Sequence, residues 1–131
     1  MTRACFLVNV APDDTLLLSA AIRGALPDAQ TSVARFDIAV LNALSPDLLI
    51  IDPDDLAVDP LEALRQLRFV APESTIVVYT GSPESSFARE CHNAGATCLL
   101  SKSSSEDELT SGIRQGLRSG CFTDPRFGHT V

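Results

Sequence analysis

Tryptophan is absent from this chain, tyrosine occurs once, and only 5% of its 131 residues are aromatic. Four cysteines are present, Cys5, Cys91, Cys98 and Cys121, without CxxC spacing or companion histidines at metal-site separations. That excludes the common zinc modules and a disulfide framework, and predicts reduced, mostly buried thiols. No apolar run approaches the length needed to cross a bilayer. There are no internal repeats, no low-complexity tracts and no glycine-rich phosphate loop. Basic residues are scarce: the net charge is −7, which argues against nucleic-acid binding by this domain, because phosphate backbones call for basic patches. The scarcity is local as well. No basic residue lies between Arg35 and Arg65, and residues 1–65 carry a net −6 against −1 for residues 66–131.

With 45% hydrophobic residues, a chain of this length fits one domain with a real core. The central signal is the run from Pro46 to Asp52, in which Leu48, Leu49, Ile50 and Ile51 are followed at once by an aspartate. Such a run, bounded by turn residues, predicts a strand buried on both faces of a parallel sheet. Chemistry in open α/β sheets gathers beyond the carboxyl ends of the strands. Asp52 is therefore a candidate working residue; a turn or helix-cap aspartate is the plainer alternative.

The remaining chain alternates strand and helix. Residues 5–10 predict the first strand, and Asn9, Pro12, Asp13 and Asp14 break its apolar character too soon for a signal peptide, so a cytoplasmic protein is expected. A helix over residues 12–26 comes next, with proline and acids at its start. Its apolar residues run all round, with Arg23 as its only charge beyond the first turn. That predicts burial on more than one side or an interface. Thr31 to Arg35 predict a weak edge strand, and a short helix over residues 37–44 leads into the central strand. Asp59, Pro60 and Glu62 form a helix start, with Leu61, Leu64 and Leu67 as its core stripe. Residues 75–80 predict a buried strand ending at Thr80. Ser82, Pro83 and Glu84 then start a helix that Gly95 stops. Residues 97–101 predict the last strand, ending at Lys102, and Ser105 with Glu106, Asp107 and Glu108 opens the last helix. Gly112, Gly116 and Gly120 on that helix suggest close packing on the sheet, or a homodimer face shared with the first helix. His92 is expected at the surface. The pattern is an α/β fold: a five-stranded parallel sheet, doubly wound as a (βα)5 flavodoxin-like three-layer sandwich. Residues 1–121 form the domain and 122–131 a tail or the start of a linker.

Three strand ends carry Asp52, Thr80 and Lys102, and this topology aligns those ends along one edge. A carboxylate, a hydroxyl and an ammonium suit the capture of a phosphoryl group: the carboxylate attacks, and the other two meet the transferred oxygens. Gly81 beside Thr80 leaves room for a donor. A structural Lys–Asp ion pair with a strand-end threonine is the alternative.

PDLLIID ending at Asp52, the turn from Asp59 to Glu62, VVYTG around Thr80 and AGATCLLSK ending at Lys102 together resemble the receiver domains of bacterial response regulators. The resemblance covers residues 4–121, and its last part is most similar to receivers that precede a helix-turn-helix output domain. It implies a two-component or phosphorelay signalling module rather than an enzyme. Asp52 would be the phosphoacceptor, Thr80 the switch hydroxyl, Lys102 the site lysine, and a histidine kinase or other signalling protein the partner. Two departures from the family pattern are plain. Receivers place two acids at the end of the first strand to hold Mg2+, where this chain has Asn9 and Val10. They commonly carry an aromatic residue three positions before the lysine, where this chain has Leu99. The expectation is an atypical receiver with impaired Mg2+-dependent phosphorylation, holding no cofactor or only weak Mg2+ through Asp52 and Asp54. A working phosphoacceptor is the alternative within the family. A small hydrolase or ligand binder on the same topology is the alternative outside it.

Overall fold

A computed structural model describes residues 3–54, 56–82 and 84–128. The elements alternate as the hydrophobic pattern requires: β1 (Arg3–Val8), α1 (Pro12–Ala25), β2 (Ala29–Ala34), α2 (Ile38–Leu44), β3 (Leu48–Ile51) and α3 (Pro60–Val70). Then come β4 (Thr75–Thr80), α4 (Ser85–Ala94), β5 (Cys98–Ser101), α5 (Glu106–Ser119) and β6 (Phe122–Thr123), closed by a 3-10 turn at Pro125–Gly128. The strands order as β2-β1-β3-β4-β5-β6, and every pairing is parallel. The order reverses after β1, which puts the switch point of the winding between β1 and β3.

The helices start where capping chemistry places them. Asp59 accepts the Glu62 N–H at 3.0 Å with Pro60 at the first helical position. Ser105 and Glu108 close a reciprocal capping box on α5, satisfying two amides that the helix itself leaves unpaired. The expected start of α4 at Ser82 and Pro83 moves to Ser85, with Glu84 as a cap lacking a side-chain bond. Pro83 itself lies outside the described residues, as do Asp55 in the loop after β3 and residues 129–131.

All four residues of β3 are buried, because helices cover both faces of a parallel sheet. Alternate side chains feed two cores. Leu7, Leu48, Ile50 and Leu100 join Leu18 and Ile22 of α1 and Ile113 of α5 on one face. Leu49, Ile51, Val78 and Leu99 meet Leu64 and Leu67 of α3 and Phe127 on the other. Helix α1 packs beside α5, where Arg114 Nη2 donates to the Gly24 carbonyl at 2.9 Å and Thr110 Oγ1 to the Ala21 carbonyl at 3.3 Å. Its burial is one-sided: Leu18, Ala21 and Ile22 are buried, whereas Leu16 is 82% exposed. The glycines of α5 answer to packing. A Cβ on Gly116 would lie 1.9 Å from Cys98 Sγ, and one on Gly112 2.8 Å from Leu100 Cδ2, so α5 lies closer to the sheet than a side chain would permit.

The sheet has six strands rather than five. Residues 122–123 pair with β5, Cys98 opposite Phe122 and Leu99 opposite Thr123. Two residues are too few for a periodic signal, so the sixth strand depends on anchors outside it. Asp124 accepts from the buried Ser104 hydroxyl at 2.9 Å and from Arg126 Nη1 at 3.0 Å, and Arg126 also reaches Glu108 at 3.0 Å. Phe127 is 2% exposed. His92 is half-buried rather than at the surface: its Nδ1 pairs with the Ala96 carbonyl and its Nε2 with the Thr123 hydroxyl, at 2.9 and 2.7 Å. No helix among the described residues is long and apolar enough to cross a membrane.

Candidate functional site

The parallel register carries β3, β4 and β5 to a common edge, where Ile51 pairs with Val78 and Thr80 with Ser101. The residues just beyond are thereby brought together. Lys102 N–H donates to the Thr80 carbonyl at 3.0 Å and Asp52 N–H to the Val8 carbonyl at 3.1 Å, so both site residues continue the ladder before the chain turns away. Asp52, Thr80 and Lys102 share one cluster as the strand ends predict, but with a fourth member at its centre.

That member is Asp54. Lys102 Nζ lies 2.7 Å from Asp52 Oδ2 and 2.9 Å from Asp54 Oδ2. The Thr80 hydroxyl donates to Asp54 Oδ1 at 2.7 Å, and the Gly81 N–H donates to Asp54 Oδ2 at 3.0 Å. Asp52 Oδ1 accepts the Asp54 N–H at 2.9 Å, a tight turn in which the first aspartate orients the second. Thr80 Oγ1 also accepts the Ser82 N–H at 3.1 Å. Gly81 has more room than its place requires, since a Cβ there would meet Asp54 Oδ2 at 3.5 Å. Its contribution here is the N–H.

Two carboxylates on one ammonium divide their proton affinities. Burial pushes the Asp52 carboxyl above the ordinary range, and the neighbouring Asp54 charge adds to this against the pull of Lys102 and the Asp54 N–H. For Asp54, burial also pulls upward, but the Gly81 N–H, Lys102 and Thr80 outweigh it and hold the carboxyl below its ordinary range. Burial works against the charge on Lys102, and the bonds to Asp52 and Asp54 more than reverse that, raising its pKa. Lys102 Nζ also stands 5.9 Å from the centre of the Tyr79 ring, whose hydroxyl donates to Asp14 Oδ1 at 3.3 Å. Asp14 thus serves the helix start and braces the edge of the site through Tyr79.

Asn9 is a residue whose part the sequence pattern did not convey. Its backbone is left-handed, with φ of 59°, a conformation that asparagine tolerates better than most. Its Nδ2 donates to the carbonyls of Asp52 and Asp54, at 3.0 and 3.5 Å. It therefore ties the loop after β3 to the end of β1. Val10 beside it is 7% exposed and joins the core. Asn9, Val10, Arg35, Asp52, Asp54 and Lys102 line an open cavity of about 500 Å3.

Mg2+ requires near-octahedral oxygen coordination. Both carboxylates here place oxygens on the Lys102 ammonium, Val10 has no side-chain oxygen, and Asn9 directs its amide nitrogen at the nearby carbonyls. Among the described residues no group of three or more His, Cys, Asp or Glu side chains is placed to hold a metal. This donor set does not fit a resident Mg2+. Leu99, at the position where receivers commonly carry an aromatic residue, is wholly buried in the core beneath α4, and has no aromatic ring to rotate.

No protein-family model matches the chain. The DNA-binding transcriptional activator EvgA of Escherichia coli K12 is 25% identical over 116 residues, 84% of this chain and 57% of that protein. The response regulator GacA of Pseudomonas aeruginosa is 27% identical over 88 residues, 67% of this chain and 41% of that protein. Among solved structures, a LuxR family DNA-binding response regulator from Silicibacter pomeroyi superposes with a TM-score of 0.76 at 20% identity, covering 95% of this chain and 98% of that one. These likenesses agree with the fold and with the strand-end residues assembled on it. The chain has the receiver-domain fold and is similar in sequence to response regulators. It spans about half the length of the curated relatives it matches. The chain places Asp52, Thr80 and Lys102 at the ends of β3, β4 and β5. Asp54 is added among them.

Proposed function

We propose that this receiver is an atypical one: a protein-interaction module of bacterial two-component or phosphorelay signalling, not an enzyme, in which Mg2+-dependent phosphorylation of Asp52 is impaired. The observation that carries the reading is the Lys102 ammonium held at 2.7 and 2.9 Å between Asp52 and Asp54. Asn9 and Val10 stand where a metal would need acids. Any Mg2+ held through Asp52 and Asp54 would have to displace the ammonium from both, so weak binding is expected. The partner is a histidine kinase or another signalling protein in the cytoplasm. A net charge of −7 argues against direct nucleic-acid binding by this domain. A homodimer through α1 and α5 belongs to the proposal, supported by the exposed Leu16 on α1. A strictly monomeric state at high concentration in sedimentation would remove that part.

A working phosphoacceptor is the second reading, favoured by the convergence of Asp52, Thr80 and Lys102. In it an Asp52 oxygen attacks the phosphorus of a phosphohistidine, the P–N bond breaks, and imidazole leaves with its electron pair. Thr80 and Lys102 then meet the phosphoryl oxygens. A small-molecule phosphodonor with and without Mg2+ separates the readings. Little labelling in either condition is expected of the first. Stoichiometric, Mg2+-dependent labelling abolished by Asp52→Asn establishes the second and ends the first.

A further inference from the structure

Asp54 receives a hydroxyl at 2.7 Å, a main-chain N–H at 3.0 Å and an ammonium at 2.9 Å, from Thr80, Gly81 and Lys102. Three donors of these kinds, converging beside a carboxylate nucleophile, are what the oxygens of a group attached to Asp52 require. In this chain they already hold an anion, which the backbone supplies from two residues away. The tether is short and braced: Asp52 Oδ1 accepts the Asp54 N–H at 2.9 Å, and Asn9 Nδ2 donates to the Asp52 and Asp54 carbonyls. The Asp54 side chain is 35% exposed, so the place it fills opens to solvent.

We propose that Asp54 is a built-in occupant of the oxyanion subsite beside Asp52, which keeps phosphate-sized anions out and holds Thr80 and Gly81 as a bound anion would. The meaning of the subsite rests on the receiver reading above. A carboxylate fixed to the loop competes at the effective concentration of an intramolecular ligand, far above that of a free anion. It also adds a like charge beside Asp52, which repels any incoming anion from the same place. Removing the Asp54 side chain leaves the hydroxyl, the amide and the ammonium without that partner. The class of ligand they then fit is a tetrahedral oxyanion.

Backbone amide NMR with inorganic phosphate as the probe, without Mg2+ or phosphodonor, tests this. In the unmodified protein the Gly81, Ser82 and Lys102 amides stay unshifted as phosphate is added. In Asp54→Ala the same amides shift saturably, with phosphate binding at least about tenfold tighter, and adding Lys102→Ala abolishes the effect. Asp54→Ser, which keeps a small polar group on the loop, serves as a second variant should the first fold poorly. The same phosphate response with and without the Asp54 carboxylate, whether none or scattered over basic surface residues, overturns the proposal. Phosphodonor labelling of Asp52 is a separate measurement. Stoichiometric labelling with phosphate binding gained in Asp54→Ala ends the impaired-receiver reading but keeps the subsite. Failed phosphate binding ends the subsite, whatever the labelling shows.

Discussion

Two ionic clusters in this protein use nearly the same parts to opposite ends. At the carboxyl edge of the sheet, one cation, Lys102, serves two acids, Asp52 and Asp54, with the Thr80 hydroxyl alongside. At the outer edge, Arg126 serves Asp124 and Glu108, with the Ser104 hydroxyl alongside. The second cluster is a fastening. The guanidinium fork reaches both acids without crowding them, Asp124 fills its oxygens from Ser104, the Arg126 N–H and the Arg126 side chain, and the result holds β6 and Phe127 in place. In the first, a compact ammonium sits between two carboxylates that repel one another and face an open cavity of about 500 Å3. Arginine's planar fork suits fixed bidentate pairing, whereas lysine is a point charge that can be shared or exchanged. The two clusters therefore differ less in composition, or in net charge, than in the cation's shape and in the room around it.

The largest expected effect breaks the fastening. Asp124→Ala leaves the Ser104 hydroxyl and Arg126 without their buried partner and releases β6, for a loss of about 2–4 kcal/mol of stability, measured by urea denaturation. A loss under about 0.5 kcal/mol would show that β6 is not held this way. A smaller effect is expected at the other cluster. Lys102→Met leaves two neighbouring carboxylates without a counter-ion, of which Asp52 is 6% exposed. The expected loss is about 1–3 kcal/mol at neutral pH. Asp52 then binds its proton more tightly folded than unfolded, so part of the loss is recovered as pH falls, and denaturation midpoints compared at neutral and acid pH read this directly. No recovery on acidification would mean that the carboxylates do not repel across the site.

The smallest effect concerns the link between the site and α1. Burial, with Asp14 adding to it, pushes the Tyr79 hydroxyl up to about 12. A folded pKa raised in this way gives stability that is fully present below the ordinary tyrosine value of about 10 and lost as pH rises through about 12. Tyr79 is the only tyrosine, and there is no tryptophan, so phenolate absorbance reports it alone. Asp14→Asn should lower its midpoint while leaving the fold intact at neutral pH. An unchanged midpoint would assign the whole shift to burial.

Much of the fold was legible because its signals are local. The run from Leu48 to Ile51 could satisfy its apolar faces only inside a sheet, and Asp59, Pro60 and Ser105 mark helix starts by chemistry that acts within four residues. Asp52, Thr80 and Lys102 were legible as candidates because each interrupts a strand at its carboxyl end. Asp54 and Asn9 were harder to read. Asp54 suggests only a weak metal ligand in the sequence, and nothing in the adjoining residues announces that its partners lie 26 and 27 positions away. Asn9 stood out only as a missing acid, since the carbonyls it ties down are 43 and 45 residues distant. The strand β6 was hidden for a related reason: Arg126, Glu108 and Ser104 hold it from outside its two residues.

What the sequence determined by itself was the alternation of strands and helices and which residues would stand at the strand ends. Hydrophobic period and capping act over a few residues, and a parallel sheet leaves its strand ends little choice of side. Only the tertiary structure decided which anion the Thr80, Gly81 and Lys102 donors hold. Asp52 and Asp54 are both within reach of the ammonium. The turn from Asp52 to Asp54, tied from beneath by Asn9, brings the second carboxylate among all three.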